Sequence, residues 1–352
     1  MGRRRWSSDV KRLLNTLYVM TQGAYLKREG ETVVVTVERE VKLRLPFLGL
    51  DGVVCFGRVM CSPQLTFACA RRNITISFFD ERGRFWTRVQ GPVSGNVLLR
   101  RRQYRLADDP SASAEIARAT VAAKVANART VLLRHLRDHP EAAGAAAVAE
   151  AADRLRDVLV ALSRPVPLDT IRGCEGEASS TYFNVLNHLI ILQKPDFAFS
   201  RRSRRPPLDN FNALLSFLYA ILAHDAASAL EGVGLDPAVG FLHRDRPGRP
   251  SLALDLMEEF RPILADRLAL SLVNRQQVRA RGFRTTESGA VLMDDDTRKE
   301  VLRAYQARKQ EEILHPFLGE KIPIGLLLHA QAMLLARHLR GDLDGYPAFI
   351  WK

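Results

Sequence analysis

The sequence predicts an α+β chain in which a β-rich N-terminal domain, an antiparallel sheet or small sandwich over residues 1–105, precedes a larger all-α domain over 113–352. Three observations carry that expectation. Residues 15–90 hold short alternating or β-branched runs separated by turn signals. From residue 112 onward the apolar period becomes helical. Between them, 106–112 (with Ala107-Asp108-Asp109-Pro110-Ser111) has the polar, proline-containing composition of a linker. At 352 residues the chain is long enough for two cores.

The strand signals are Val33–Val37, Val41–Leu45, Val53–Phe56 and Ile74–Phe78, with turns at Glu29-Gly30, Gly49–Gly52 and Glu81-Arg82-Gly83. No glycine loop of a dinucleotide- or nucleotide-binding unit interrupts them. The helical part opens with a long helix to about Asp138, stopped before His139-Pro140. An alanine-rich helix from Glu141 to about Ser163 follows, and its propensity alone accounts for its composition. Asp169 is placed to cap a third helix carrying two glycines, Gly173 and Gly176, around Glu175. Interior glycines cost roughly 1 kcal/mol each, so close approach of another backbone is expected there. A fourth helix runs from Asp209 or Asn210 to Gly232, after the arginine-rich loop Arg201-Arg202-Ser203-Arg204-Arg205-Pro206-Pro207. Later come a hairpin over 283–292, helices over about 295–313 and 323–340, and an aromatic tail expected to tuck against the domain.

Composition narrows the function classes. Apolar residues make up 47% and charged residues 26%, as in a soluble globular protein. The longest apolar run, Ala213–Ala223, contains Ser216 and ends at His224-Asp225, so no membrane role is expected. The basic start lacks a secretory core because Asp9, Lys11 and Arg12 interrupt it. Cys55, Cys61, Cys69 and Cys174 form neither a CxxC pair nor a disulfide framework, which points to a reduced, cytoplasmic setting. The net charge of +13 sits almost wholly in residues 1–105, which carry 20 Lys and Arg against 8 Asp and Glu. A polyanion is the partner class this charge fits.

The stretch organising the chain is 238–262. An apolar approach, Val239–Leu242, delivers His243. Arg244, Arg246 and Arg249 follow in a turn broken by Pro247, Gly248 and Pro250. Ser251 is in place to cap a helix on which Asp255, Glu258 and Glu259 share one face among core residues. Acids crowded on a buried helix call for a positive partner: nearby arginines or a metal ion. Pro262 lies four residues after Glu258 and crowds its carbonyl, so a bend is expected there.

Taken together, GCEGEASSTYF (173–183), RRPPLDNFNALLSFLY (204–219), GLDPAVGFLH (234–243) and SLALDLMEEFRP (251–262) resemble the CRISPR-associated integrase-endonuclease family of spacer acquisition. The motifs occur in the family's order and the likeness spans essentially the whole chain. The stretch SGNVLLRRRQYR (94–105) is similar to the variety accompanying type I-C systems. The resemblance implies a metal site of Glu175, His243 and Glu258, with Asp255 at a second acidic position; Glu177 and Glu259 are neighbouring alternatives. One imidazole and two carboxylates suit Mg²⁺ or Mn²⁺.

The resemblance further implies DNA strand transfer by a 3′-hydroxyl onto a phosphodiester, inserting spacers into a CRISPR array. Its expected partners are double-stranded DNA (prespacer and CRISPR repeat), a second copy of the chain in a homodimer, and the small second CRISPR adaptation protein as scaffold. Arg201, Arg202, Arg204, Arg205, Arg244, Arg246 and Arg249 are the expected DNA-backbone contacts, Arg249 nearest the chemistry. Two other readings compete: a structure-selective, metal-dependent nuclease on branched DNA, and a non-catalytic DNA-bridging subunit whose acids only hold the core.

Overall fold

Strand-forming and helix-forming sequence segregate along the chain, and the structure follows them. The computed structural model describes residues 15–351 except residues 73, 81–84, 90 and 92–96. The basic arm before residue 15, the turn at Glu81-Arg82-Gly83 and the Ser94-Gly95-Asn96 start of the last motif lie outside the described residues. Two compact units divide at residues 93/94, with Pro323–Leu326 grouped with the first.

The first unit holds two four-stranded sheets. Strands β1 (Asn15–Val19), β2 (Tyr25–Glu29), β3 (Thr32–Val37), β4 (Glu40–Pro46), β5 (Leu50–Phe56) and β6 (Met60–Cys61) precede helix α1 (Pro63–Arg71). Strands β7 (Thr75–Phe79) and β8 (Phe85–Val89) follow it. One sheet runs β4-β3-β2-β6 and the other β1-β5-β7-β8. Both mix directions. β2–β3 and β3–β4 are antiparallel meander pairs, but β1–β5, β5–β7 and β2–β6 are parallel. The purely antiparallel sheet expected from sequence is corrected on this point. β1 and β5 are separated by a whole meander, and α1 carries the chain across to β7, so parallel neighbours become possible. The unit's core joins Leu26, Val33, Val35, Val53, Cys55, Leu65 and Ile76, all buried.

The second unit is helical. It comprises α2 (Val97–Asp108), α3 (Pro110–Asp138), α4 (Ala145–Ala161), α5 (Leu168–Val185), α6 (Asn210–Gly232), α7 (Ser251–Glu258), α8 (Arg267–Asn274), α9 (Asp295–Gln310) and α10 (Leu327–Arg340). The hairpin β9 (Phe283–Thr285) and β10 (Val291–Met293), and the pair β11 (Glu312–Leu314) and β12 (Lys321–Pro323), decorate it. The linker expected at 106–112 is instead a helix junction: α2 runs to Asp108, and Asp109 caps α3 through the Ser111 and Ala112 N–H groups, with Pro110 at the first helical position. Two other caps differ. Pro167 precedes α5, leaving Asp169 in its first turn, and Pro250 precedes α7, so the Ser251 hydroxyl donates to the Arg244 carbonyl instead.

Helices α3, α5 and α7 carry the site, with α5 and α7 both packed on α3. α3 packs on α4 and α5, and α6 packs on α7 and α10. α6 is long and apolar enough to cross a membrane by length and composition, yet it is the core helix here, with Phe211, Leu214, Leu218, Leu222 and Leu230 buried. The expected bend at Pro262 is present. α7 ends at Glu258, and a π-helical turn, Arg261–Asp266, takes over before α8; the Arg267 N–H reaches back five residues to the Pro262 carbonyl. The aromatic tail does dock: Phe349 is buried and stacks on Phe260 with ring centroids 5.5 Å apart.

Candidate active site

Glu258 is the buried centre of the site, 1% exposed at the end of α7. Its Oε1 pairs with Arg261 Nη1 at 3.0 Å, a contact the wide π turn makes by returning Arg261 onto the helix end. Its Oε2 lies 2.8 Å from Lys124 Nζ but accepts no well-aimed hydrogen bond. Burial alone would raise this carboxyl's pKa; Arg261, Lys124 and His243 overcome burial and pull it down to about 2. Glu258 is therefore ionised at any working pH.

Glu175 reaches the same point from α5. Its Oε1 pairs with Lys124 Nζ and accepts from Ser179 Oγ at 2.8 Å, one turn along the helix. Lys124 also donates to Ser179 Oγ at 2.9 Å. His243 enters from the loop before α7, with Nε2 3.9 Å from Glu258 Oε1. Asp255 fixes that ring. Its Oδ2 accepts the Phe241 and Leu242 N–H groups at 2.7 and 2.9 Å, and its Oδ1 accepts the His243 N–H at 3.0 Å and faces His243 Nδ1 at 2.6 Å. A carboxylate accepts, so the Nδ1–H given to Asp255 Oδ1 fixes the ring and turns Nε2 toward Glu258. Gly240 makes this turn possible, because a Cβ there would stand 2.7 Å from Asp255 Oδ2.

The structure thus brings Glu175, His243 and Glu258 together, and puts Asp255 behind His243 as its positioning residue. Glu177 is exposed and makes none of these contacts. Glu259 turns away: it accepts from Gln331 Nε2, Tyr346 Oη and the Phe349 N–H, and so holds the tail. Gly173 and Gly176 do not mark a crossing within the chain, since a Cβ at either would meet nothing within 4 Å. They leave the helix face flanking Glu175 bare and open. Sequence reasoning missed Lys124, Ser179 and Arg261. A lone lysine at a buried position of α3, and an arginine three residues after Glu258, were the available signals.

The arginines divide. Arg201, Arg204, Arg205, Arg244 and Arg246 are exposed, and Arg244 pairs with Asp169 at 3.2 Å. Partial burial, then the nearby charges of Arg246, Arg204 and Arg205, lower the pKa of Arg249, so the two arginine loops share one positive patch that also feels Asp255. Arg202 does not belong to that surface. It turns inward onto α6, donating to Asn212 Oδ1 at 2.7 Å and Ser216 Oγ at 3.0 Å, over the Tyr219 ring. Three side chains of α6 thus engage the guanidinium of this one member of the arginine loop.

Among the described residues no three His, Cys, Asp or Glu side chains already surround one point at ligand distance. The donor set nonetheless fits a hard divalent cation. Two carboxylates share one ammonium, one buried carboxylate oxygen lacks a well-aimed hydrogen bond, and His243 Nε2 lies 3.9 Å from the other oxygen of Glu258.

A family model described as "CRISPR associated protein Cas1" matches residues 17–307. "CRISPR-associated endonuclease Cas1 2" of Rhodospirillum rubrum is 55% identical over 347 residues, covering 97% of this chain and 100% of the relative. "CRISPR-associated endonuclease Cas1 1" of Chlorobaculum tepidum is 53% identical over 343 residues, covering 97% and 100%. Among solved structures, a casposase bound to integration product matches with a TM-score of 0.81 at 21% identity, covering 96% of this chain and 94% of that one. A Cas6-RT-Cas1–Cas2 complex matches with 0.80 at 20% identity, covering 99% of this chain and 37% of that one. At such identities the two structures speak to the fold alone.

Proposed function

The chain belongs to the Cas1 family of CRISPR-associated endonucleases, and on that premise we propose that it is a metal-dependent integrase that joins a DNA 3′-hydroxyl to a phosphodiester of a CRISPR repeat. The observation that carries this reading is that Glu175 and Glu258 share one ammonium, that of Lys124, with His243 Nε2 3.9 Å from Glu258 and an open helix face beside Glu175.

Mg²⁺ or Mn²⁺ bound there would polarise the scissile phosphate and stabilise charge on the attacking and leaving oxygens. The chain's own residues do the rest. Glu175 and Glu258 supply the negative charge that recruits the ion, and Asp255 holds the His243 ring with Nε2 aimed at Glu258. Arg261 holds Glu258 ionised and in place. The side-chain-free face at Gly173 and Gly176 gives a DNA backbone room beside Glu175. Arg201, Arg204, Arg205, Arg244, Arg246 and Arg249 track the phosphates on the way in. No step requires a covalent protein nucleophile. With water in place of the 3′-hydroxyl, the same site cleaves branched DNA.

The partners follow from the same reading: double-stranded DNA, a second copy of this chain meeting it through the β-rich unit, and a Cas2-type subunit as scaffold, all in the cytoplasm. Residues 1–105 would serve dimerisation and DNA contact, and the helical domain catalysis.

The test is strand transfer with a pre-formed 3′-hydroxyl donor and a CRISPR-repeat target. The reaction should require Mg²⁺ or Mn²⁺, and His243→Ala should abolish it while DNA affinity and melting temperature stay close to those of the parent. Wild-type-like integration by purified His243→Ala, or integration in excess chelator, would refute the proposal.

A further inference from the structure

Lys124 is an unusual occupant of a metal centre. It stands on α3 at 8% exposure, and its ammonium meets Glu175, Glu258 and Ser179 at once. A buried ammonium is tolerated only when its charge is matched. Here the matching groups are the two carboxylates that a divalent cation would need. The ammonium and such an ion cannot hold both at the same time, because like charges at that spacing repel.

Next to Lys124 lies a small, partly open cavity of about 20 Å³, lined by Lys124, Ser179, Tyr182, Tyr219, Arg261 and Asp266 among others. That volume admits one water, or an ammonium head of similar size. In the cavity wall, Tyr182 and Asp266 make no hydrogen bond or ion pair with Glu175 or Glu258. The Tyr182 hydroxyl is buried beside Asp266 without a well-formed hydrogen bond. Asp266 is 1% exposed, its Oδ1 accepts from Tyr219 Oη at 2.6 Å, and it feels the Lys124 charge.

We propose that Lys124 is the resident cation of the metal-free centre, holding Glu175 and Glu258 in register, and that its ammonium withdraws into this cavity toward Asp266 when a divalent cation takes the two carboxylates. The proposal rests on the reading of Glu175, His243 and Glu258 as a cation site. It makes Lys124 a positioning residue that protects the empty site against carboxylate repulsion and sets how tightly the ion is held. Ser179 is the pivot, since its hydroxyl is already shared between Lys124 and Glu175.

Two consequences have opposite sign. Removing Lys124 removes a competitor, so the ion binds more tightly although the empty protein is weaker. Removing the charge at Asp266 takes away the place to which Lys124 retreats, so the ion binds less tightly, but only while Lys124 is present.

The experiment is Mn²⁺ binding to the full-length protein by calorimetry, with Glu258→Gln defining the site, alongside melting in chelator and in saturating Mn²⁺. Lys124→Met should bind Mn²⁺ about tenfold more tightly, the order of effect seen for groups adjoining metal ligands. It should melt below the parent in chelator and gain more from Mn²⁺ than the parent does. Asp266→Asn should weaken Mn²⁺ binding several-fold in the parent and have no effect in the Lys124→Met background, a coupling that a purely structural role would not produce. If Lys124→Met does not fold, Lys124→Gln, which keeps a neutral donor on the same stem, carries the same expectation. Unchanged or weaker binding by the Lys124 variant, or an Asp266→Asn effect that persists without Lys124, overturns the inference and leaves the cation site standing. Absence of any Mn²⁺ binding that Glu258→Gln abolishes overturns both.

Discussion

Glu258 and Glu259 are adjacent in sequence and equally buried, yet they ionise in opposite directions. Glu258 is pulled down to about 2 against the cost of burial, because Arg261, Lys124 and His243 surround it. Glu259 is pushed up to about 7 by burial, and only the neutral donors Phe349 N–H, Tyr346 and Gln331 oppose the rise. The difference lies in what faces each carboxyl. Full charges at ion-pair distance outweigh desolvation, whereas dipoles offset part of it. One helix end therefore serves two purposes: Glu258 presents a permanent anion to the site, and Glu259 latches the C-terminal tail behind it.

Breaking the contrast on the Glu258 side has the largest effect. Glu258→Gln keeps the shape and loses the charge, and strand transfer and cleavage should both fall by at least about 10³-fold, as for loss of a group acting on transition-state charge. Glu259→Gln, measured in the same assay, should stay within about threefold of the parent, because Glu259 touches no reacting group. Equal losses in the two variants would mean that the two glutamates are not functionally distinct.

A second contrast separates the arginines. Replacing Arg201, Arg204, Arg205 and Arg246 together should weaken binding to all DNA sequences and flatten the log–log salt dependence by about 0.9 for each phosphate no longer neutralised. Arg202→Ala should leave that slope alone and cost about 2 kcal/mol of stability, since its guanidinium is bonded to Asn212 and Ser216. A flattened slope for Arg202→Ala would return it to the DNA surface.

The smallest effect is the pH dependence of folding. Glu258 has a lowered pKa, so its stabilising contribution is present above its ordinary 4.5 and is lost as pH falls from 4.5 through about 2. Glu259 has a raised pKa, so the folded state holds a proton that the unfolded state has released between 4.5 and about 7, and stability declines as pH rises through that window. Denaturant unfolding across pH 4.5–7 should show a shallower decline for Glu259→Gln. An unaltered profile would mean that Glu259 is ionised throughout.

How far these features could be read in advance depends on the kind of interaction that fixes them. The proposed ligands Glu175, His243 and Glu258 could be named in advance because they sit in the local motifs that carry the family resemblance, and Pro262 announced the bend that returns Arg261 to Glu258. Lys124 was not, because in an alanine-rich helix a lysine looks like propensity and solvation, and only α5 and α7 packing on α3 reveal it as buried. Arg202 sat in a run of arginines that reads as one surface, while α6 selects that member alone through Asn212, Ser216 and Tyr219. The strands were visible as β-branched runs, but not their partners: nothing in the alternation of Val53–Phe56 says that β5 lies parallel to both β1 and β7. Non-local pairing is set by the three-dimensional route of the chain, which a period-two pattern does not encode.

The central claim is that Glu175, His243 and Glu258 hold one divalent cation in the position that Lys124 fills without it. Anomalous diffraction at the manganese edge from crystals grown with Mn²⁺ tests it most directly. The account predicts a single peak about 2.0–2.3 Å from oxygens of Glu175 and Glu258 and from His243 Nε2, with the Lys124 ammonium drawn away from both carboxylates. A peak elsewhere, or no peak with Lys124 still bridging Glu175 and Glu258, would contradict it.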